Sequence, residues 1–490
     1  MLDPLPHNAW NRTTAAHLLN RAGFGGTPTD VDSLAQLTPD AAVNRLMDGD
    51  DSNPPELKPA WAHPDPDRAE KLKAIRKADA AERARLQKER NRERRRQMLE
   101  LQHDWLQRMA SGSRPLQEKM TLFWHGHFAT SVVKVRDPYL MWRQNDLFRR
   151  RGAGSWRDLL GAVTRDPAML LWLDQAQSKP EHPNENYARE LLELFTLGEG
   201  HYTEKDVTQA ARALCGLTLD RLTQEPVFRK RLEVAGDKTF LGRTGPLGVE
   251  DVLDQIAAQP QTDRFLTGRL WTFFAGTPPS PALQDALAVR FRATGQQFGP
   301  FLRTMLISEE FHQPSVMNQQ IKSPVQLLVS ACRQLERPLP PAPVCANTLR
   351  LLGQELFNPP NVKGWEGGLA WINTNTLLNR HNLALLLVTG ENPMALAADS
   401  KPASQKGPLR QRLLGRTGGG ANPERLFTPT ERGDARSLLA AVERRFLTAP
   451  LQPREQVPLS EYLRAQGALD DRDVLGVVRL ALCTPQYQIN

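Results

Sequence analysis

Apolar residues along this chain recur three and four positions apart over most of its length, the period of a helix with one buried face. Val31, Leu34, Leu37, Ala42 and Leu46 are an early example. Thr38-Pro39 interrupts them and predicts two short helices, the second capped by Thr38. A helix over 15–21 precedes them with Thr13 or Thr14 as its cap, and another over 115–124 stops at Gly126. The segment 142–173 reads as two helices broken near 152–155. Helices over 186–197 and 204–214 follow, the latter opened by Thr203 with Asp206 as a capping-box acid. Strand-like alternation is convincing only over 225–242, where a glycine-containing turn predicts one small β-hairpin. The helical period returns over 249–307 and continues through 325–335 and 349–356. Pro and Gly crowd 353–375 into a shaped loop, and 389–433, with SKPASQKGPLR and RTGGGANPERL, reads as a flexible linker. The expected fold is therefore all-α. It has a large multi-helix body over 1–388, the linker over 389–433, and C-terminal helices over 434–490 that pack back on the body.

The segment 67–109 breaks the amphipathic pattern. It is a run of Arg, Lys, Glu and Ala without Gly or Pro, and its apolar stripe is thin: Leu72, Ile75, Leu86, Met98, Leu101 and Trp105. A continuous helix here would be a charged arm roughly 60 Å long. Local pairs such as Glu89 with Arg92 and Glu93 with Arg96 suit a solvated face. The interleaved acids blunt the positive field of ERNRERRRQ, so no nucleic-acid partner is expected.

Composition adds limits. The chain has 490 residues, enough for a sizeable core, and its net charge of +8 is modest for that length. Cys215, Cys332, Cys345 and Cys483 are scattered without a CxxC pair, which fits reduced, mostly buried thiols. The first residues lack an apolar signal core, and no run of about twenty apolar residues would span a membrane. A cytoplasmic protein is expected, with co-export alongside a folded partner as the alternative. No phosphate-binding loop, GxGxxG, HExxH or GxSxG occurs, which disfavours nucleotide binding and serine hydrolysis.

Candidate chemistry concentrates in three places. His125 and His127 flank Gly126 between aromatics. On a strand or at a helix end both imidazoles could reach one divalent transition metal, whereas on a helix they diverge by about 200°. Glu190 and Glu193 share a helical face with Glu185 and Arg189. One reading is a solvated face tied together by Arg189. The other turns a Glu inward as metal ligand or general base, and two His with one carboxylate would form a facial triad. Were that face buried, Arg189 would hold three carboxylates together, and its loss would cost about 3–5 kcal/mol. The third place is the loop with Asn361, Lys363, Trp365, Trp371 and Asn373, which could close a pocket or scaffold the backbone. His17 with Arg21 on one helix face, and His201 in a loop, are weaker candidates.

FWHGHFATS, RDPAMLLWLD, NENYARELLELFTLGEG, YTEKDV, DKTFLGRTG and FNPPNVKGWEGGLAWIN carry a resemblance. With HLLNRAGFGGT, SEEFH and IKSP they resemble the bacterial family called domain of unknown function 1800 (DUF1800), over roughly 10–390 and the C-terminal helix. The resemblance implies a bacterial protein often encoded beside a sulfatase-like protein of another unknown-function family, number 1501. Two roles follow as expectations: a metal-dependent enzyme with a buried His/Glu site, or a non-enzymatic partner or scaffold of that neighbour. The arm, with Trp61, Trp105 and Trp365 exposed, would serve the second. The chain departs from the family at Leu217, where members carry Trp in a Thr-Gly-Trp triplet, and at Val234 and Ala235, near where many carry a His-Asp pair. If that His is a family ligand, this chain is a divergent copy.

Overall fold

The pairs Thr27-Pro28, Thr38-Pro39, Asp137-Pro138, Asp166-Pro167, Ser280-Pro281 and Ser323-Pro324 each begin a helix in the same way. The side-chain oxygen accepts a first-turn N–H, and proline occupies the position where no N–H is needed. The computed structural model describes residues 1–49, 58–391, 393 and 419–490. Its helices are α1 (Arg12–Ala22), α2 (Pro28–Ala35), α3 (Pro39–Asp48), α4 (Arg68–Lys77), α5 (Ala80–Ser111), α6 (Pro115–His127), α7 (Val132–Val135), α8 (Pro138–Arg151), α9 (Trp156–Thr164) and α10 (Pro167–Trp172). They continue with α11 (Glu185–Glu193), α12 (Glu204–Leu214), α13 (Val249–Ala258), α14 (Pro260–Ala275), α15 (Pro281–Ala293), α16 (Phe298–Ile307), α17 (Pro324–Gln334), α18 (Ala342–Leu352) and α19 (Thr374–Thr389). The C-terminal region holds α20 (Pro423–Leu426), α21 (Ala435–Phe446), α22 (Pro453–Gln466), α23 (Asp471–Cys483) and α24 (Pro485–Gln488). The fold is all-α, as the periodicity indicates. No described helix is long and apolar enough to cross a membrane.

These helices enclose two apolar cores. The first gathers α1–α3, α9 and α11–α16 around Trp124, Trp156 and Trp271. The second joins the C-terminal third of α5 to α17–α19 and α21–α23, around Trp105, Phe357 and Tyr487. Helix α6 runs along the seam, giving Phe123 and Trp124 to the first core and Leu122 to the second. The C-terminal helices thus complete a core rather than decorate it: α23 packs on both α19 and α21.

Four local readings change. Helix α1 starts at Arg12 and is capped by Asn11, which accepts from Thr13 and Thr14 while the Thr14 hydroxyl reciprocates. The arm is two helices, because Asp79 leaves the helix and accepts the Glu82 N–H to start α5. Glu93 pairs with Arg96 as the spacing suggests, whereas Glu89 pairs with Arg85. The strand residues form two hairpins: Leu217–Leu219 with Pro226–Phe228, and Lys238–Phe240 with Arg243–Gly245. The second closes through Leu241 at φ 44° and Gly242 at φ 83°, a left-handed pair that suits the twist of a tight hairpin. Of the expected linker, 392 and 394–418 lie outside the described residues. Its described end packs: Ala421 donates to Val388 O, and Leu426 and Phe427 are buried.

Several ionisable groups singled out in the sequence hold the body together. Arg21 is fully buried and donates to the carbonyl oxygens of Phe274, Val316 and Asn490 at 2.9, 2.7 and 2.9 Å. Burial draws its pKa down to about 9. His17 bonds Phe311 O at 3.0 Å, and His201 lies exposed on a turn. Cys215, Cys332 and Cys345 are buried free thiols, and Cys483 is half-buried.

Candidate functional site

Helix α6 continues through Gly126 to His127, so the two imidazoles leave it on opposite sides. The structure does not bring them together. His125 faces the second core, where its Nε2 accepts the Phe357 N–H at 2.9 Å and its ring lies against Trp105, Phe357 and Trp365. A backbone N–H donates here, so Nε2 carries no proton, and burial holds the pKa down at about 3. His127 faces the first core among Phe123, Trp124, Phe128 and Phe195. Its Nε2–H donates to Phe195 O at 3.0 Å, and its buried Nδ1 has no hydrogen-bond partner. Burial first, and the Arg269 charge second, keep it neutral far below the usual imidazole range.

Glu190, Glu193 and Arg189 stay together on the partly exposed side of α11. Arg189 is 35% exposed and forks onto Glu204 of α12 at 2.7 Å for each bond, with Glu185 farther off at 3.8 Å. It is a surface clamp between α11 and α12, not the centre of a buried carboxylate cluster. Glu193 accepts from Tyr202 Oη at 3.0 Å. Glu190 is half-buried, and its pKa is raised by burial and by Glu193, against the pull of Lys363 and Arg189. Among the described residues, no group of three or more His, Cys, Asp or Glu is arranged to hold a metal ion.

The loop after α18 meets α6 backbone to backbone. Gly364 has φ 82°, and a Cβ there would stand 2.2 Å from Gly126 O, so only glycine fits. This contact hangs Trp365 and Trp371 over a cleft of about 590 Å³ on the seam between the cores. Asn361, Lys363 and Asn373 do not line it. Asn361 and Lys363 are exposed, and Asn373 caps α19 by accepting the Thr376 N–H. Trp61 is half-buried with its Nε1 on Glu100, and Trp105 is buried, so neither is an exposed side chain.

Phe123 and His127 from α6 and Phe265, Arg269 and Thr272 from α14 form the opposite wall of the cleft. Arg269 is the residue that motif reading passed over. Its guanidinium carbon sits 5.7 Å from the Phe265 ring centroid, and no described residue gives it a hydrogen bond or an ion pair. Burial lowers its pKa. Glu366 is the sole carboxylate on the described lining, and it is exposed. Gln354 spends its Oε1 on the Val325 N–H at 3.0 Å, which leaves its amide NH₂ as a donor on the lining. A signal for Arg269 was present in the sequence: its neighbours three and four positions away are Leu266, Thr272, Phe265 and Phe273, none of which can pair with it.

Leu217, Val234 and Ala235 do not line the cleft. The segments FWHGH and GWEGGLAW, by contrast, both supply it. No curated protein and no solved structure matches the chain. The family model described as "Protein of unknown function (DUF1800)" matches residues 17–489, and the chain belongs to that family.

Proposed function

We propose that the seam cleft is a binding or catalytic site for a small organic carboxylate with an apolar or aromatic body. The observation that carries this reading is Arg269, a cation to which no described residue supplies an anion, in an aromatic-walled cleft. A single planar guanidinium matches a single planar carboxylate through two parallel N–H···O bonds, strengthened where water is scarce. Trp365, Trp371, Phe265 and Phe123 supply stacking surface, and His127 adds a neutral ring to the same wall. Titration calorimetry with a panel of arylcarboxylates tests it. Saturable binding is expected, weakened about tenfold or more by Arg269→Gln, the usual scale for a charge-assisted pair. Equal binding by the variant rejects the site.

A metal-dependent enzyme using His125, His127 and Glu190 or Glu193 is a competing reading. It requires α6 to unwind beyond Phe123 so that the two rings converge, and metal analysis of protein purified without an affinity tag tests it. A partner role beside the sulfatase-like neighbour is favoured by a different observation: no residue of α5 before Met98 is buried. Co-purification of the two proteins checks this, with Arg85, Arg92 and Arg95 changed to Glu as the disrupting variant. Deleting the whole arm would not serve, because Met98, Leu101 and Trp105 belong to the second core.

A further inference from the structure

A second cavity, of about 540 Å³, lies between the arm and the start of α8 and shares no lining residue with the seam cleft. Trp61, Leu72, Ile75 and Tyr139 form its apolar wall, and Arg68, Lys71, Arg90 and Arg94 form its cationic one. Arg90 and Arg94 are one turn apart on α5, so both guanidiniums leave the helix on the same side.

Four carboxylates also border this cavity, and each is already matched. Asp137 holds Arg68 at 3.3 Å and accepts the Gln224 amide at 2.6 Å. Asp65 holds Lys71 at 2.7 Å, Glu89 holds Arg85 at 2.9 Å, and Glu93 holds Arg96 at 2.6 Å. No described residue gives Arg90 or Arg94 a hydrogen bond or an ion pair. Both are half-buried. The arm as a whole is laced with i,i+3 and i,i+4 pairs, and Arg68 and Lys71 at the cavity are paired, yet among the described residues Arg90 and Arg94 have no such partner. Like charges at this spacing oppose each other, and partial removal from water raises that cost.

We propose that this cavity binds an organic phosphate monoester. Its phosphoryl oxygens sit between Arg90 and Arg94, and its apolar or aromatic stem lies against Trp61 and Tyr139. Two unmatched positive charges call for a dianion, and a phosphate monoester carries about −1.5 to −2 at neutral pH where a carboxylate carries one charge. Three terminal phosphoryl oxygens also accept from two guanidinium forks at once. Burial and the mutual field of the arginines draw the pKa of Arg94 down to about 10, consistent with a wall prepared for an anion.

Calorimetric titration of the full chain with phenyl phosphate tests the proposal. One saturable site is expected, with inorganic phosphate and phenol each binding more weakly than phenyl phosphate. The double variant Arg90→Gln/Arg94→Gln should bind about tenfold or more weakly. Arg92→Gln/Arg95→Gln, on the exposed face of the same helix, should bind as wild type, as should Arg269→Gln, which separates this site from the seam cleft. The double variant should melt at or above the wild-type temperature, since it removes a repulsion. Arg94→Lys keeps the charge without the fork and should lose less affinity than Arg94→Gln. Unsaturable binding, wild-type affinity in the double variant, or inorganic phosphate binding as tightly as phenyl phosphate each overturns the proposal.

Discussion

Helices α6 and α11 look alike in sequence, both dense in ionisable side chains, and the structure treats them in opposite ways. In α6, Glu118, Lys119, His125 and His127 are all buried. In α11 the buried residues are Tyr187, Ala188, Leu191 and Leu192, and every Glu and Arg is at least partly exposed. The difference lies in who can pair with whom. The charges of α11 are spaced to meet one another, or to meet Glu204 on the next helix, and can remain in water. Lys119, His125 and His127 have no ionic partner on their own helix and find theirs in backbone: Gly23 O, the Phe357 N–H and Phe195 O. An ionisable residue among apolar neighbours at helical spacing therefore marks the interior better than a cluster of charges does. Arg269 belongs to the same class, except that no described residue gives it a hydrogen bond or an ion pair.

The strongest test of this contrast is at two glycines. Gly364→Ala drives a methyl into Gly126 O at a left-handed position and should cost about 3 kcal/mol or more, read by chemical denaturation. Gly200, beyond α11, has a similar φ of 83° but nothing within 4 Å, so Gly200→Ala should cost only its backbone strain, about 1 kcal/mol. Equal losses would mean that the α6–loop contact is not tight. Acid stability comes next. His125 has a folded pKa of about 3, below the ordinary 6.5, so the unfolded chain binds a proton that the fold refuses between those values. Its contribution is complete above about pH 6.5 and is lost as pH falls towards 3, at up to about 1.4 kcal/mol per pH unit. His125→Gln keeps an acceptor for the Phe357 N–H and should flatten that slope; a pH series of unfolding curves with unchanged slope would place the ring in contact with water. The smallest effect belongs to Arg189→Ala, at less than about 1 kcal/mol, because the pair it breaks is partly exposed. A loss comparable to that of Gly364→Ala would dissolve the contrast between the helices.

The sequence shows the helices because caps and period are local. Thr27-Pro28 and Thr203 with Asp206 can be read without knowing where the chain goes next. It shows less of where local order stops: Asp79 divides the arm by a single side-chain hydrogen bond, and Leu241-Gly242 redirects strand pairing. Of the candidate site, Trp365, Trp371 and His127 are legible as motif residues and do line the cleft. What the motif cannot show is that Gly126 turns its two histidines apart, since that depends on whether the helix ends at residue 126 or continues through it. Arg269 comes from a helix more than 130 positions downstream of α6. Only packing brings it to His127.

The three carbonyls around Arg21 also bear on the order of assembly. One belongs to residue 490, which is 469 positions away along the chain. A ribosome delivers that partner hundreds of residues after α1 has emerged, and until then the guanidinium must wait in water near the end of that helix. Contacts of such span form slowly, and the hydrophobic surface they leave open invites association. Helix α1 is thus made long before it is locked, and a change at Asn490 would be felt at Arg21, 469 positions away along the sequence.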